Sequence, residues 1–241
     1  MPPRILVAED NLFNRVLIGE MLSRIGIDYQ IVENGSDAVE AFRQESFDIV
    51  LMDLHMPLMD GVEAARCIRK LKPVRIIAVT ADTQEPGVQV GDGLFDAVLV
   101  KPIQQRDLLN VLVTGSTEKT ESKTSQDDEI LDHAYGMRAA GGVRAQFLVL
   151  VKLFLKYTPD LVLSLDRSIQ LEIYEDIALH AHSLQGSAGS IGGLKLSLTA
   201  GKLTRAARSR AGWPEIAALR NTVQCQWIEL KQVLDEVSGT A

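Results

Sequence analysis

Asp48-Ile-Val-Leu-Met-Asp-Leu-His-Met-Pro-Leu-Met-Asp-Gly61 is the stretch on which the fold turns. Ile49–Met52 is an unbroken apolar run that closes on a carboxylate, Asp53. Continuous rather than alternating apolar residues suit a parallel strand covered on both faces. Four further runs of the same kind surround it: Arg4–Ala8, Tyr29–Val32, Arg75–Thr80 and Ala97–Val100. Between them, Asn11–Ile25 and Ser36–Glu45 have helical periodicity, carried by Leu17, Met21 and Leu22 in the first and Ala38, Ala41 and Phe42 in the second. Ser36 is read as an N-cap. Strands alternating with helices predict an α/β doubly wound, five-stranded parallel sheet over residues 1–113.

The next sixteen residues, 114–129, contain no large apolar side chain. Such a segment cannot bury enough surface to offset its ordering entropy and is expected to be a flexible linker. Beyond it the periodicity is helical throughout, over Ile130–Ala139, Val143–Leu171, Glu175–Ile191, Leu194–Arg210 and Pro214–Val237. Glycines at 141–142, 192–193 and 212 punctuate these helices, so 130–238 is expected to form an all-α bundle.

Composition narrows the function. The net charge of −7 argues against a nucleic-acid binder working by phosphate neutralisation. No apolar run approaches the roughly 20 residues needed to span a bilayer, and the N-terminus lacks signal-peptide design. Two distant cysteines, Cys67 and Cys225, offer neither a disulfide framework nor metal-ligand spacing. The expectation is a cytoplasmic segment without membrane contact.

In an open parallel sheet, ligands bind beyond the carboxyl ends of the strands. Those ends carry Glu9 and Asp10, Asp53, Thr80, and Lys101. Three carboxylates at one edge repel each other unless a cation joins them, and Mg²⁺ is the natural oxygen-preferring choice. Lys101 and the Thr80 hydroxyl would bind the oxygens of a phosphoryl group transferred to Asp53.

These residues lie in "ILVAEDN" (Ile5–Asn11), "DIVLMDLHMPLMDG" (Asp48–Gly61), "IIAVTAD" (Ile76–Asp82) and "VLVKPI" (Val98–Ile103), and over residues 4–113 the chain resembles the response-regulator receiver family. The resemblance implies Asp53 as phosphoacceptor. It implies Mg²⁺ held by Glu9, Asp10, Asp53 and the backbone carbonyl of His55. Thr80 would be the switch hydroxyl, Lys101 the phosphate-pairing lysine, and Lys101–Pro102 a cis bond. Two departures stand out. Val98 occupies the usual aromatic switch position, and Pro86, Gly87, Gly91 and Gly93 make a regular helix after the fourth strand unexpected.

On Glu175–Ile191, Ile177, Ala181, Leu184, Ala188 and Ile191 form the core stripe at 100° per residue. His180 beside it reads as a structural histidine. His182 points away, and its neighbours on that outer face are Ala178, Gln185, Gly186 and Gly189. Mid-helix glycines cost roughly 1 kcal/mol each, which suggests that another surface approaches there. The stretch "AHSLQGSAGSIGGLKL" (Ala181–Leu196) resembles the histidine phosphotransfer (HPt) family, which implies His182 as a phosphoryl carrier. Gln185 stands where that family has a lysine, and Lys195, Lys202, Arg205, Arg208 and Arg210 offer compensating charge nearby.

Together these features point to a phosphorelay protein exchanging phosphoryl groups with a sensor histidine kinase and with partner receiver or HPt proteins. No P-loop or other kinase core is present, so the phosphate would come from another protein or from a longer hybrid kinase containing this segment. The alternative is a phosphorylation-controlled binding module whose bundle docks a partner without transferring phosphate.

Overall fold

The computed structural model describes residues 3–80, 93–115 and 130–239. The chain divides into two compact units, residues 1–121 and 122–241.

In the first unit, β1 (Arg4–Ala8), β2 (Asp28–Val32), β3 (Ile49–Asp53), β4 (Arg75–Thr80) and β5 (Ala97–Val100) pair in parallel in the order β2-β1-β3-β4-β5. The predicted strands agree with these to within one residue. Among the described residues, the helices of this unit are α1 (Leu12–Arg24), α2 (Gly35–Gln44), α3 (Gly61–Leu71) and α4 (Gln105–Thr114). Parallel crossovers are right-handed. The steps β2 to β3 and β3 to β4 run one way along the sheet and β1 to β2 runs the other, which puts α2 and α3 on one face and α1 on the opposite one. Leu6, Val50, Met52, Ile76 and Ala78 pack with Phe42, Ala64 and Ile68 on the first of these faces. Alternate residues point the other way, and from that side Arg75 donates to the C-terminal carbonyls of α4 at Val111 and Leu112.

Two local readings are corrected. The N-cap of α2 is Asn34, whose side chain accepts from the N–H of Asp37 at 2.8 Å; Ser36 lies inside the helix. The asparagine sits in extended backbone, where its short amide can reach back to the first turn. Thr114, expected in the linker, is the last residue of α4, which closes on Gly115 in the left-handed region (φ 76°). The rest of the expected linker lies outside the described residues, as does most of the Pro- and Gly-containing segment after β4.

The second unit is helical: α5 (His133–Ala139), α6 (Arg144–Gln170), α7 (Tyr174–Ser190), α8 (Leu194–Arg208) and α9 (Trp213–Ser238). Three- and four-residue connections make the four long helices antiparallel neighbours. Their order around the bundle is α6-α7-α8-α9, and α5 packs across α6 and α7. The core holds Phe147, Phe154, Ile177, Leu184, Leu203, Val223 and Leu230, with Trp227 edge-on to Phe154 at 5.6 Å. Among the described residues, no helix is long and apolar enough to cross a membrane.

Candidate functional site

The carboxyl ends of β1, β3, β4 and β5 deliver Glu9, Asp10, Asp53, Thr80 and Lys101 to one edge of the sheet. Lys101 follows β5, its N–H donates to the carbonyl of Thr80 at 2.7 Å, and its bond to Pro102 is cis. Its Nζ lies 2.5 Å from Asp53 Oδ2 and 2.9 Å from Glu9 Oε2. Asp53 and Thr80 are wholly buried and Glu9 nearly so. Asn14 Nδ2 donates to Glu9 Oε1 at 2.9 Å, and the backbone N–H of His55 donates to Asp53 Oδ1 at 3.1 Å.

The cluster is electrostatically tense. Burial and then the charge of Asp53 push Glu9 up to about 8, and Lys101 opposes this without cancelling it. The same two causes push Asp10 up to about 6. Burial alone would lower Lys101, but the charges of Asp53 and Glu9 outweigh it and hold the ammonium firmly protonated. One oxygen from each of Glu9, Asp10 and Asp53 lies within 4.8 Å of the others. Glu9 Oε2 is buried, with the Lys101 ammonium beside it. An all-oxygen donor set with surplus negative charge fits a hard divalent cation such as Mg²⁺.

Two residues that sequence reasoning missed belong to this edge. Asn14 is a buried polar side chain interrupting the apolar face of α1 between Phe13 and Leu17. Arg15 Nη1 donates to the carbonyls of Asp10 (2.6 Å) and Glu9 (3.3 Å), while its Nη2 lies 2.9 Å from Glu33. Their signal in the sequence was a pair of polar residues one turn into a helix that directly follows the carboxylates. Val98, at the expected switch position, is half-buried in β5 and packs against the core.

The histidine face is corrected. Helical periodicity predicts an exposed His182; it is 5% exposed, and Gly189 is buried on the same helix. A helical wheel assumes one packing direction, whereas α7 is packed by α5, α6 and α8, so its buried surface extends past the apolar stripe. Several glycines serve that packing. A β-carbon on Gly192 would collide with the carbonyl of Asp132 before α5, and one on Gly201 of α8 would crowd the Gln185 side chain. Gln185 is half-buried, and its carbonyl accepts from Ser197 Oγ at 2.8 Å. His180 Nδ1 lies 3.1 Å from Ser168 Oγ, which donates to the carbonyl of Ser164. Burial lowers His180, with Asp176 opposing. Lys202, Arg205 and Arg208 are exposed on α8, Lys195 is half-buried, and Arg210 pairs with Glu175 at 2.6 Å.

Residues 5–113 match the family model of the response regulator receiver domain, and residues 149–240 match that of the Hpt domain. The chain is 35% identical over 158 residues to the sensor protein GacS of Pseudomonas syringae pv. syringae, covering 58% of this chain and 17% of that protein. It is 30% identical over 203 residues to the signal transduction histidine-protein kinase BarA of Escherichia coli K12, covering 78% of this chain and 22% of the kinase. The chain thus spans about a fifth of the length of these curated relatives. Among solved structures, the receiver domain of the sensor histidine kinase PA1611 from Pseudomonas aeruginosa PAO1, with magnesium in its active-site cleft, is 32% identical with a TM-score of 0.43, covering 46% of this chain and 95% of that one. By both family matches, the chain belongs to the two-component phosphorelay proteins and joins a response regulator receiver domain to an Hpt domain.

Proposed function

We propose that Asp53 accepts a phosphoryl group and that His182 carries one, in exchange with a sensor histidine kinase and with partner receiver or HPt proteins. The observation that carries the reading is Lys101 held 2.5 Å from Asp53 Oδ2 beside three clustered carboxylates. In the forward step a carboxylate oxygen of Asp53 forms a P–O bond while the P–N bond of a partner's phosphohistidine breaks. The electron pair stays on the imidazole nitrogen, which takes up a proton. Lys101 and the Thr80 hydroxyl bind the transferred oxygens, a positioning and charge-stabilising role. Mg²⁺ held by Glu9, Asp10, Asp53 and the His55 carbonyl would supply further neutralisation of the phosphoryl charge.

At His182 an imidazole nitrogen would attack a partner's phosphoaspartate, breaking its acyl P–O bond. Its burial requires the ring to be uncovered for that attack. Gln185 offers a neutral amide in place of a lysine charge, while the exposed basic residues of α8 favour encounter with an acidic partner. Histidine-kinase relatives at 30% identity support a kinase as the source of phosphate. Free Cys67 and Cys225 suit a reducing cytoplasm. Incubating the chain with Mg²⁺ and a small acyl phosphate should label the wild type and leave Asp53→Asn unlabelled. Equal labelling of the two would overturn the assignment of Asp53.

A further inference from the structure

Arg15 sits in the first turn of α1, with the guanidinium turned back toward the turn that follows β1. It bridges two strand ends. One edge of the fork donates to the carbonyls of Asp10 and Glu9, and the other pairs with Glu33 just past β2. Its side chain is only 15% exposed, whereas that of Glu33 is 69% exposed. The turn it grips is the one that aims the Glu9 and Asp10 carboxylates at Asp53.

Each end of this turn has another restraint. Asn11 caps α1 by accepting from the N–H groups of Phe13 and Asn14, and the N–H of Glu9 donates to the carbonyl of Val32 at 3.1 Å. Between them, the carbonyls of Glu9 and Asp10 are held by the arginine fork. We propose that Arg15 is a positioning residue for the divalent cation, clamping the backbone of Glu9 and Asp10 so that their carboxylates stay aimed at the metal position. Glu33 completes the device. A bare guanidinium beside a cation site would repel the ion, and the ion pair with Glu33 offsets that charge. Arginine suits this work because its planar fork reaches two carbonyls and a carboxylate at once, which a lysine ammonium cannot do with the same geometry.

The inference rests on the receiver reading and is tested apart from it by titrating the full chain with Mg²⁺ alone, followed by calorimetry. Groups that orient metal ligands typically contribute about 10- to 100-fold to affinity. Arg15→Ala is expected to weaken Mg²⁺ binding on the order of 10-fold. Arg15→Lys, which keeps the charge and stem, is expected to recover only part of this and carries the test if Arg15→Ala does not fold. A second readout separates positioning from general damage. In acyl-phosphate labelling, the Mg²⁺ concentration for half-maximal rate should rise while the rate at saturating Mg²⁺ returns to the wild-type value. Wild-type Mg²⁺ affinity in Arg15→Lys, or a loss confined to the saturated rate, overturns the proposal. A wild-type chain that binds no Mg²⁺ at millimolar concentration instead overturns the metal site itself.

Discussion

Gly61 lies so close to the carbonyl oxygen of Asp53 that a β-carbon on it would collide with that atom. Its N–H donates to the carbonyl of Leu54 at 3.0 Å, and Asp60 caps α3 by accepting from Glu63 N–H at 2.8 Å. The start of α3 is thereby pressed against the end of β3, and the backbone of Asp53 is fixed from behind. The collision is with backbone, so no rotamer change relieves it. Gly61→Ala should cost about 1–3 kcal/mol, as overpacked sites do. It should also slow acyl-phosphate labelling, because the reactive carboxylate moves with its own carbonyl. Labelling kinetics and urea unfolding followed by circular dichroism check both, and unchanged labelling would mean the strand end tolerates displacement.

Lys101 is the buried counter-charge for Asp53 and also lies against the Glu9 carboxyl group. Removing one partner of such a cluster leaves charge uncompensated, at a cost of about 3–5 kcal/mol. Lys101→Met should therefore lower the urea midpoint of the receiver unit in Mg²⁺-free buffer, and added Mg²⁺ should recover part of the loss. Both tryptophans, Trp213 and Trp227, lie in the helical unit, so their fluorescence follows that unit while circular dichroism follows both. A midpoint unmoved by Lys101→Met would show that the ion pairs are energetically idle.

The raised Glu9 and Asp10 values give a pH dependence with a definite sign. Between the ordinary carboxylate range and about 8, the folded metal-free chain holds a proton on Glu9 that the unfolded chain has released; Asp10 does the same up to about 6. Stability contributed by these groups is present at low pH and falls as pH rises through that window. Cation binding needs both carboxylates ionised, so Mg²⁺ affinity should rise over the same range. The Mg²⁺-induced increase in melting temperature should be clearly larger at pH 8 than at pH 5.5. An equal increase at both would contradict the protonated state of the metal-free site.

The sheet and its site were legible because they rest on short-range signals. A fully buried parallel strand is an unbroken apolar run, and the chemistry sits at the residue where the run stops, as at Asp53 and Thr80. Helices α3 and α4 were not singled out, although α3 follows the Asp60-Gly61 signal directly. Arg15 escaped notice because its function is to grip backbone carbonyls, which have no letter in a sequence. The burial of His182 was misjudged for a related reason. Periodicity gives the face of a helix that is apolar, not the number of neighbours that small residues such as Gly189 and Gly201 admit.

His180 and His182 are two residues apart on α7, and their substitutions should separate structure from transfer. His180 lies against Ser168, whose hydroxyl is committed to the Ser164 carbonyl, so Nδ1–H of His180 is the donor. His180→Ala should cost roughly 1 kcal/mol, the net value of one hydrogen bond, and leave histidine labelling in place. Because burial lowers His180, the unfolded chain takes up a proton in mild acid that the folded chain resists. Stability from this residue is lost as pH falls below the ordinary histidine value, and His180→Ala should flatten that loss. His182→Ala should instead abolish acid-labile labelling by a phosphorylated partner receiver while Asp53 labelling by acyl phosphate persists. Persistence of acid-labile label in His182→Ala, with its loss in His180→Ala, would move the carrier to His180. Absence of such label from the wild type with every receiver tried would favour a bundle that docks partners without transferring phosphate.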